Sequence, residues 1–341
     1  MITPKFTAEQ VAETMRLVRD SAHIVVFTHM SPDGDAMGSS LGISHWIRTV
    51  YPGKDVTVVV PNAYPEFFRW MPGAADVVQH DTDKDRAEQI VAAADLIICT
   101  DFGEAKRVGF MAPLLEAATC PKIMIDHHLN PSGFAQVAMS RPEASSASEL
   151  VLRLLLQAGE CEHIGLDTAT CLYTGMMTDT GSFSYNSNDP ELYELVGELL
   201  RRGVDKDACY DRVFNIWSLD RMRLMGYCLL RKLQVMADGK TALIYLTRKE
   251  LYRFNFSSGD AEGLVNLPLQ MANIRYSCFM REDKDKVKIS FRSQGDRPVN
   301  EYAHAVFHGG GHANAAGGEF YGPVTEAVKL FVNTYADYFR A

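Results

Sequence analysis

The feature that most constrains this chain is a rhythm of short apolar runs separated by stretches of helical periodicity. The runs fall at residues 23–28, 55–60, 95–100 and 122–125, and Ile24-Val25-Val26-Phe27 and Leu96-Ile97-Ile98-Cys99 are apolar without a break. A strand with one wet face alternates in polarity, whereas a strand covered on both faces reads as a near-continuous apolar run. Helical patterns fill residues 36–50, 84–93 and 109–118, and an amphipathic helix with Val11, Met15 and Val18 on one side occupies 7–21. Strands alternating with helices at this spacing predict an α/β fold whose N-terminal sheet is mostly parallel, with helices on both faces.

Two further helices are expected at 145–158 and 166–177, and residues 189–233 are helical throughout, with weak breaks near Gly203-Val204 and Ile216-Trp217. The pattern then changes. Strands are expected at 241–247, 273–280 and 287–291, with Asp283-Lys284-Asp285-Lys286 as a polar hairpin, and helices at 299–308 and 323–340. The expected organisation is a first domain over 1–188, a helical connector over 189–233 and a smaller α/β domain over 234–341. A length of 341 residues agrees, at about 150 residues per domain.

Composition excludes several classes. With 47% apolar and 23% charged residues the chain is ordinary globular protein. A formal net charge of -9 argues against wrapping long duplex nucleic acid, which needs a large basic face, but leaves room for a small anion in a local basic pocket. No apolar run approaches the ~20 residues of a membrane span, and the stretch from Met1 to Arg16 lacks the pattern of a signal peptide. The seven cysteines are odd in number and contain no CxxC pair, so neither a disulfide framework nor a zinc ribbon is expected. Reduced thiols and a cytoplasmic location are the simplest reading. A homodimer is left open, with no interface legible.

Chemistry concentrates where the apolar runs end. The first is followed by His29-Met30-Ser31-Pro32-Asp33-Gly34-Asp35-Ala36-Met37-Gly38, the third ends in Thr100-Asp101, and the fourth in Asp126-His127-His128. Asp179 follows an apolar helix in Thr178-Asp179-Thr180-Gly181. Each aspartate alone is open to a plainer explanation as a helix cap. A cap accounts for one aspartate beside Ala36, but not for two aspartates and a histidine. A parallel sheet gathers its strand ends on one rim, where open α/β sheets bind ligands. His29, Asp33, Asp35, Asp101, His127 and Asp179 then form one oxygen-rich set with a minority of imidazoles. That donor set suits hard or borderline divalent cations, Mn²⁺ above Zn²⁺, with Mg²⁺ also allowed. Six donors exceed what one ion needs, and four carboxylates are matched in charge by two divalent cations. Two such ions about 3.5–4 Å apart are common machinery for phosphoryl displacement. His128 is placed to contact a phosphate or protonate a leaving oxygen, or else only to orient a neighbour. Near the C-terminus, Gly309-Gly310-Gly311 allows backbone N–H groups to converge on an anion as in a nest. His312 adds a donor, a following helical turn would add its dipole, and Arg292 on a strand-like stretch carries a planar fork suited to phosphate.

HMSPDGDAMGS, the later Asp101, IDHH, TGMMTDTGSF and HGGGHANAAG, in that order, resemble the successive motifs of the DHH phosphoesterase superfamily and its DHHA1 domain. Ser145-Ser146-Ala147-Ser148-Glu149-Leu150 resembles the family's Ser-rich helix start. The likeness spans nearly the whole chain and is closest to the NrnA-like subgroup of stand-alone oligoribonucleases and 3'-phosphoadenosine-5'-phosphate (pAp) phosphatases. It implies that His29, Asp33 and Asp101 hold one ion, and that Asp35, Asp101, His127 and Asp179 hold the other. Asp126 would fix an imidazole at the catalytic centre beside His128, and Arg292, Gly309, Gly310, Gly311 and His312 would meet the substrate's phosphates across a cleft. The implied partners are short single-stranded oligoribonucleotides or small nucleotide phosphates. Rival expectations are a linear or cyclic dinucleotide phosphodiesterase, then a pyrophosphatase or short-chain exopolyphosphatase, then a nucleotide-binding regulator without catalysis.

Overall fold

In the computed structural model, which describes residues 2–257 and 259–339, the expected strand–helix alternation is present. The chain divides into two units, Met1–Ile216 and Trp217–Ala341. The first runs α1 (Ala8–Asp20), β1 (His23–Phe27), α2 (Gly34–Val50), β2 (Asp55–Val60), β3 (Val78–Gln79), α3 (Lys84–Ala93), β4 (Leu96–Thr100), α4 (Ala112–Ala117), β5 (Lys122–Asp126), β6 (Val137–Ser140), α5 (Ala147–Gln157), α6 (Leu166–Asp179), α7 (Pro190–Arg201) and α8 (Lys206–Phe214). Its strands lie in the order β3-β2-β1-β4-β5-β6, and every neighbouring pair is parallel.

Period-two alternation assigns the strand side chains to two cores. Ile24, Val26, Val58, Val60, Leu96, Ile98, Ile123 and Ile125 face residues of α2, α5 and α6, including Met37, Leu41, Leu150 and Met176. Val25, Phe27, Val59, Ile97 and Cys99 face Ala87, Val91 and Leu115 from α3 and α4. Burial on both sides explains why these strands carry no polar alternation. Helices α2 and α6 approach closely at Gly38, where a Cβ would lie 2.7 Å from the Cys171 carbonyl oxygen.

Three departures from the expected elements have local causes. The helix expected over 109–118 is shorter: a 3-10 turn (Ala105–Met111) kinks at Gly109, φ 56°, before α4 begins. Pro113 is tolerated only in the first turn of that helix. Strands β3 and β6 are only two and four residues long. The helical stretch 189–233 is shared, since α7 and α8 fall in the first unit and the division comes at Ile216.

The second unit holds α9 (Leu219–Tyr227), a π-helical turn (Cys228–Lys232), β7 (Gln234–Val235), β8 (Thr241–Leu246), α10 (Arg248–Arg253), β9 (Tyr276–Glu282), β10 (Val287–Ser293), α11 (Asn300–Phe307), β11 (Gly310–His312), β12 (Ala315–Phe320) and α12 (Val324–Tyr338). The end expected for the last helix, Arg340, lies outside the described residues. The sheet order is β11-β12-β10-β9-β8-β7, with β8–β9 parallel and the other pairs antiparallel. An aromatic core of Phe291, Tyr302, Phe307 and Phe331 covers one face, and Leu224, Ile244, Leu251 and Phe279 pack together elsewhere in the unit. Among the described residues no helix is long and apolar enough to cross a membrane.

Candidate metal centre

The strand order reverses between β1 and β4, so the connections leaving these two adjacent strands run to opposite sides and open a crevice at their carboxyl ends. His29 stands just beyond β1, Asp101 directly after β4 and His127 directly after β5. Asp101 adopts φ 65°, a left-handed conformation that aspartate tolerates better than most residues. Its amide donates to the Ile125 carbonyl at 3.0 Å. The carboxylate is 2% exposed and stands between two imidazoles. His29 Nε2 is 3.3 Å from Oδ2, and His127 Nε2 is 3.4 Å from Oδ1.

Asp33 is indeed the N-cap of α2: its Oδ1 accepts from the amides of Asp35 and Ala36, both at 3.0 Å. The same oxygen lies 3.8 Å from His29 Nε2, so capping and membership of the cluster coexist. Asp35 sits in the first turn of α2, buried, and accepts from the Ala147 and Ser148 amides at 2.6 and 2.9 Å. These amides belong to the first turn of α5, whose N-cap is Ser146. The Ser-rich segment therefore serves to hold Asp35. Asp179, the last residue of α6, brings Oδ2 within 3.5 Å of His127 Nε2, and Asp35 Oδ2 is 3.8 Å from the same atom.

The imidazoles are oriented from behind. His29 Nδ1 is 3.0 Å from the Met30 carbonyl oxygen and His127 Nδ1 is 3.3 Å from that of Ala144. A carbonyl only accepts, so each Nδ1 carries a proton and each Nε2 is turned to the carboxylates. His29, Asp33 and Asp101 offer donor atoms all within 4.8 Å of one another, as do Asp35, Asp101 and His127, and Asp101 is common to both sets. A third set within the same radius joins Asp101, Asp126 and His128. There the Nδ1 of His128 is 2.8 Å from Asp126 Oδ1.

Four carboxylates this close cannot all stay ionised without cations. Burial and the charges of Asp101 and Asp179 push Asp35 well above the usual carboxylate range. Burial likewise raises Asp179 to about 7. Burial opposes charge on His29, but hydrogen bonds to Asp101 and Asp33 outweigh it and raise the imidazole to about 10. For His127 burial is again overcome, by Asp101 and Asp179, and the pKa rises. For Asp101 burial is overcome by the two imidazoles, which hold it well below the ordinary value. Protons thus occupy the places that cations fit. The buried Asp101 Oδ1 makes no hydrogen bond, an orphaned acceptor that a cation would satisfy, so the donor set fits two divalent ions.

A testable consequence concerns linkage. Below about pH 7 Asp179 and the two imidazoles carry protons that must leave before their lone pairs can ligate. Mn²⁺ affinity is therefore expected to rise with pH through the neutral range, with protons released on binding. Titration calorimetry in two buffers of different ionisation enthalpy measures that release. Identical apparent enthalpies in both buffers would contradict this protonation pattern.

In the second unit the glycine motif differs from expectation. Gly310–His312 is edge strand β11, paired with β12 in the register Gly310↔Gly317, Gly311↔Ala316, His312↔Ala315. A β-hairpin follows the glycines, so neither a nest nor a helix dipole forms there. Bare backbone is needed for another reason: a Cβ on Gly309 would run into the Gly317 carbonyl oxygen, and one on Gly311 would lie 2.5 Å from that of Ala315. Arg292 on β10 is also paired with Ala315. Arg292, Ala315 and His312 thus form one row across three strands, with Arg292 and His312 on the same face of the sheet. Arg292 Nη1 donates to its neighbour's carbonyl, Phe291 O, at 2.9 Å.

Two contributors had no clear signal in the sequence. Arg107, within the 3-10 turn after β4, brings Nη2 to 3.3 Å from His128 Nε2. Arg153, one helical turn beyond Glu149, is buried on α5 and bonds that residue's carboxylate at 2.6 Å. Arginines at ordinary helix or loop spacing read as solvent-facing, and only the folded chain buries Arg153 and sets the exposed Arg107 against His128.

A doubly wound sheet with two overlapping His/Asp ligand sets at its switch point defines a metal-dependent phosphohydrolase with two divalent-cation sites. Models of the DHH family N-terminal domain and of the DHHA1 domain match residues 23–176 and 240–341, and the chain belongs to the DHH/DHHA1 phosphoesterase family. It is 25% identical to the bifunctional oligoribonuclease and PAP phosphatase NrnA of Bacillus subtilis, over 91% of this chain and 93% of that protein. To the protein of the same name from Thermus thermophilus it is 29% identical, over 90% and 86%. The crystal structure of an exopolyphosphatase-related protein from Bacteroides fragilis superposes with a TM-score of 0.95 at 45% identity, covering 99% of this chain and 98% of that one. The fold is shared with exonuclease RecJ bound to manganese, at a TM-score of 0.55, 16% identity and coverage of 100% and 96%.

Proposed function

We propose that this enzyme releases 5'-mononucleotides from very short oligoribonucleotides and removes the 3'-phosphate of pAp. The observation that carries the reading is the shared carboxylate of Asp101 between two ligand sets, a geometry suited to a phosphorus centre. The substrate class is supported by the likeness to the NrnA proteins over nearly the full length of both partners.

In this reading His29, Asp33 and Asp101 hold one ion and Asp35, Asp101, His127 and Asp179 hold the other, most favourably Mn²⁺. Such cations, when bound, supply charge neutralisation at the phosphoryl oxygens and an activated water. The protein's own groups do the positioning. The amides of Ala147 and Ser148 fix Asp35, and the Ala144 carbonyl fixes His127. Asp126 accepts a hydrogen bond from the Nδ1 proton of His128 and orients the ring, so that Nε2, once released by Arg107 and protonated, would serve the phosphate or the leaving oxygen. Arg292, His312 and the glycines Gly309, Gly310 and Gly311 of the second unit bind the substrate's phosphate. With a net charge of -9 the chain favours a substrate of a few phosphates over a long polymer.

The test is a parallel incubation with Mn²⁺ and a labelled diribonucleotide, pAp, cyclic di-AMP, pyrophosphate and short-chain polyphosphate. Mononucleotide from the diribonucleotide and AMP from pAp are expected. The likeness to an exopolyphosphatase-related protein favours polyphosphate as the second reading. Turnover of the inorganic chains alone would overturn the nucleotide assignment, and binding without any turnover would identify a regulator.

A further inference from the structure

The 3-10 turn Ala105–Met111 carries a cation at the rim of the metal centre. Its backbone is tied to the loop bearing His29, where the Met30 amide donates to the Arg107 carbonyl at 2.8 Å; within the turn the Arg107 amide donates to Glu104 O at 2.9 Å. A side chain at Gly109 would collide with Met30, so the kink at that glycine keeps the two loops together. The Arg107 side chain is exposed, and its Nη2 lies 3.3 Å from His128 Nε2.

This contact is chemically one-sided. A guanidinium stays protonated and only donates. His128 Nε2 must therefore present its lone pair, and the ring proton sits on Nδ1 facing Asp126, at 2.8 Å. A neutral imidazole is a weak partner for a cation. Asp101, Asp126 and the other acidic groups of the centre are close by, yet among the described residues Arg107 forms no ion pair with any of them. Its remaining N–H groups form a planar fork without a counter-anion.

We infer that Arg107 binds a non-bridging oxygen of the substrate's phosphate, as a specificity-determining contact contributed by the catalytic unit itself. The inference deepens the phosphohydrolase reading of this centre and rests on it. The cations would neutralise the carboxylates, and the arriving phosphate would then be the anion that Arg107 lacks. A fork held in place by a kinked turn loses little freedom on meeting two oxygens, whereas lysine offers a point charge.

The experiment compares the full-length wild type with Arg107→Gln and Arg107→Lys, all loaded with Mn²⁺. Steady-state kinetics on pAp and the diribonucleotide is one arm. Calorimetric binding of AMP and of inorganic phosphate in Mg²⁺ buffer is the other. Arg107→Gln should raise KM, and weaken AMP or phosphate binding, by roughly ten- to a hundredfold, the size of a lost charge-assisted hydrogen bond. The lysine variant should recover part of the loss, and Mn²⁺ affinity should stay at the wild-type value in both. Glutamine retains an N–H donor for His128, so a role confined to orienting that ring predicts unchanged KM and unchanged anion binding, and this result would overturn the inference. Failure of the wild type to bind either anion would overturn it too. Absence of nucleotide turnover together with Arg107-dependent phosphate binding would instead sink the substrate reading and leave the arginine's role standing.

Discussion

Asp101→Asn should lower turnover by at least about 10³-fold while the protein still folds. Asparagine has nearly the same shape, so the packing at this 2%-exposed position is conserved. What changes is the charge between His29 Nε2 and His127 Nε2, at 3.3 and 3.4 Å. Asp101 alone among the six candidate ligands belongs to both donor sets. Loss of a residue that merely supports a metal ligand typically costs 10–100-fold in affinity or activity, so loss of a carboxylate common to two ions should exceed that. The side-chain amide also places N–H groups where a cation needs lone pairs. Asp33→Asn is the natural comparison: Asp33 is half exposed and belongs to one set only, and its cap can be made by asparagine as well. Its loss should be about one order of magnitude smaller. Metal content and kcat measured on both variants decide the matter. Two ions retained by Asp101→Asn, with kcat within tenfold of wild type, would remove the shared-ligand account.

The six-residue constellation was legible because each member ends an element that the hydrophobic pattern already marks. His29, Asp101 and His127 each follow an apolar run, and parallel strands must bring such ends to one rim. Asp35 was legible as a member but not in its attachment, since its anchors come from the start of a helix more than a hundred residues later. Arg107 left no trace. Its placement depends on the turn Ala105–Met111 and its kink at Gly109, whereas the sequence reads as a helix beginning only at residue 109. The local form of the C-terminal glycines was not legible. Three glycines before a histidine suit an anion-binding turn, but small residues also let strands and helices approach. Here a Cβ on Gly309 would run into the Gly317 carbonyl oxygen and one on Gly311 would lie 2.5 Å from that of Ala315, so the close approach of β12 is one reason for the glycines. Strand β3 was too short, at two residues, for alternation to register.

The largest loss of stability should come from Arg153→Met. Arg153 is 2% exposed and lies within 2.6 Å of Glu149, 2.8 Å of Glu191 and 3.5 Å of Asp189. Methionine fills much of the same volume, so the main consequence is electrostatic. Glu149 would remain buried, with only the Ser145 amide and hydroxyl donating to it at 2.8 and 2.7 Å. Breaking a buried pair by removing one partner costs about 3–5 kcal/mol, because a charge is stranded. Arg153→Met combined with Glu149→Gln should recover part of that loss, and a double-mutant cycle separates the stranded charge from lost packing. The damage should also reach the metal centre. Glu149 ties down Ser145 one residue before the N-cap of α5, and the amides after that cap hold Asp35, so Mn²⁺ affinity should fall in the single variant and return in the double one. Acid adds a signature. Hydrogen bonds from the Thr3 hydroxyl and Arg153 hold Glu191 down to about 2. A depressed carboxylate stabilises the fold above its unfolded value near 4.5 and loses that effect as pH falls toward 2. The wild type should therefore lose stability over that window more steeply than Arg153→Met, in which part of the pairing is already gone. Parallel acid-denaturation slopes in the two proteins, or unaltered Mn²⁺ binding in the single variant, would show that this network neither stabilises the first unit nor positions Asp35.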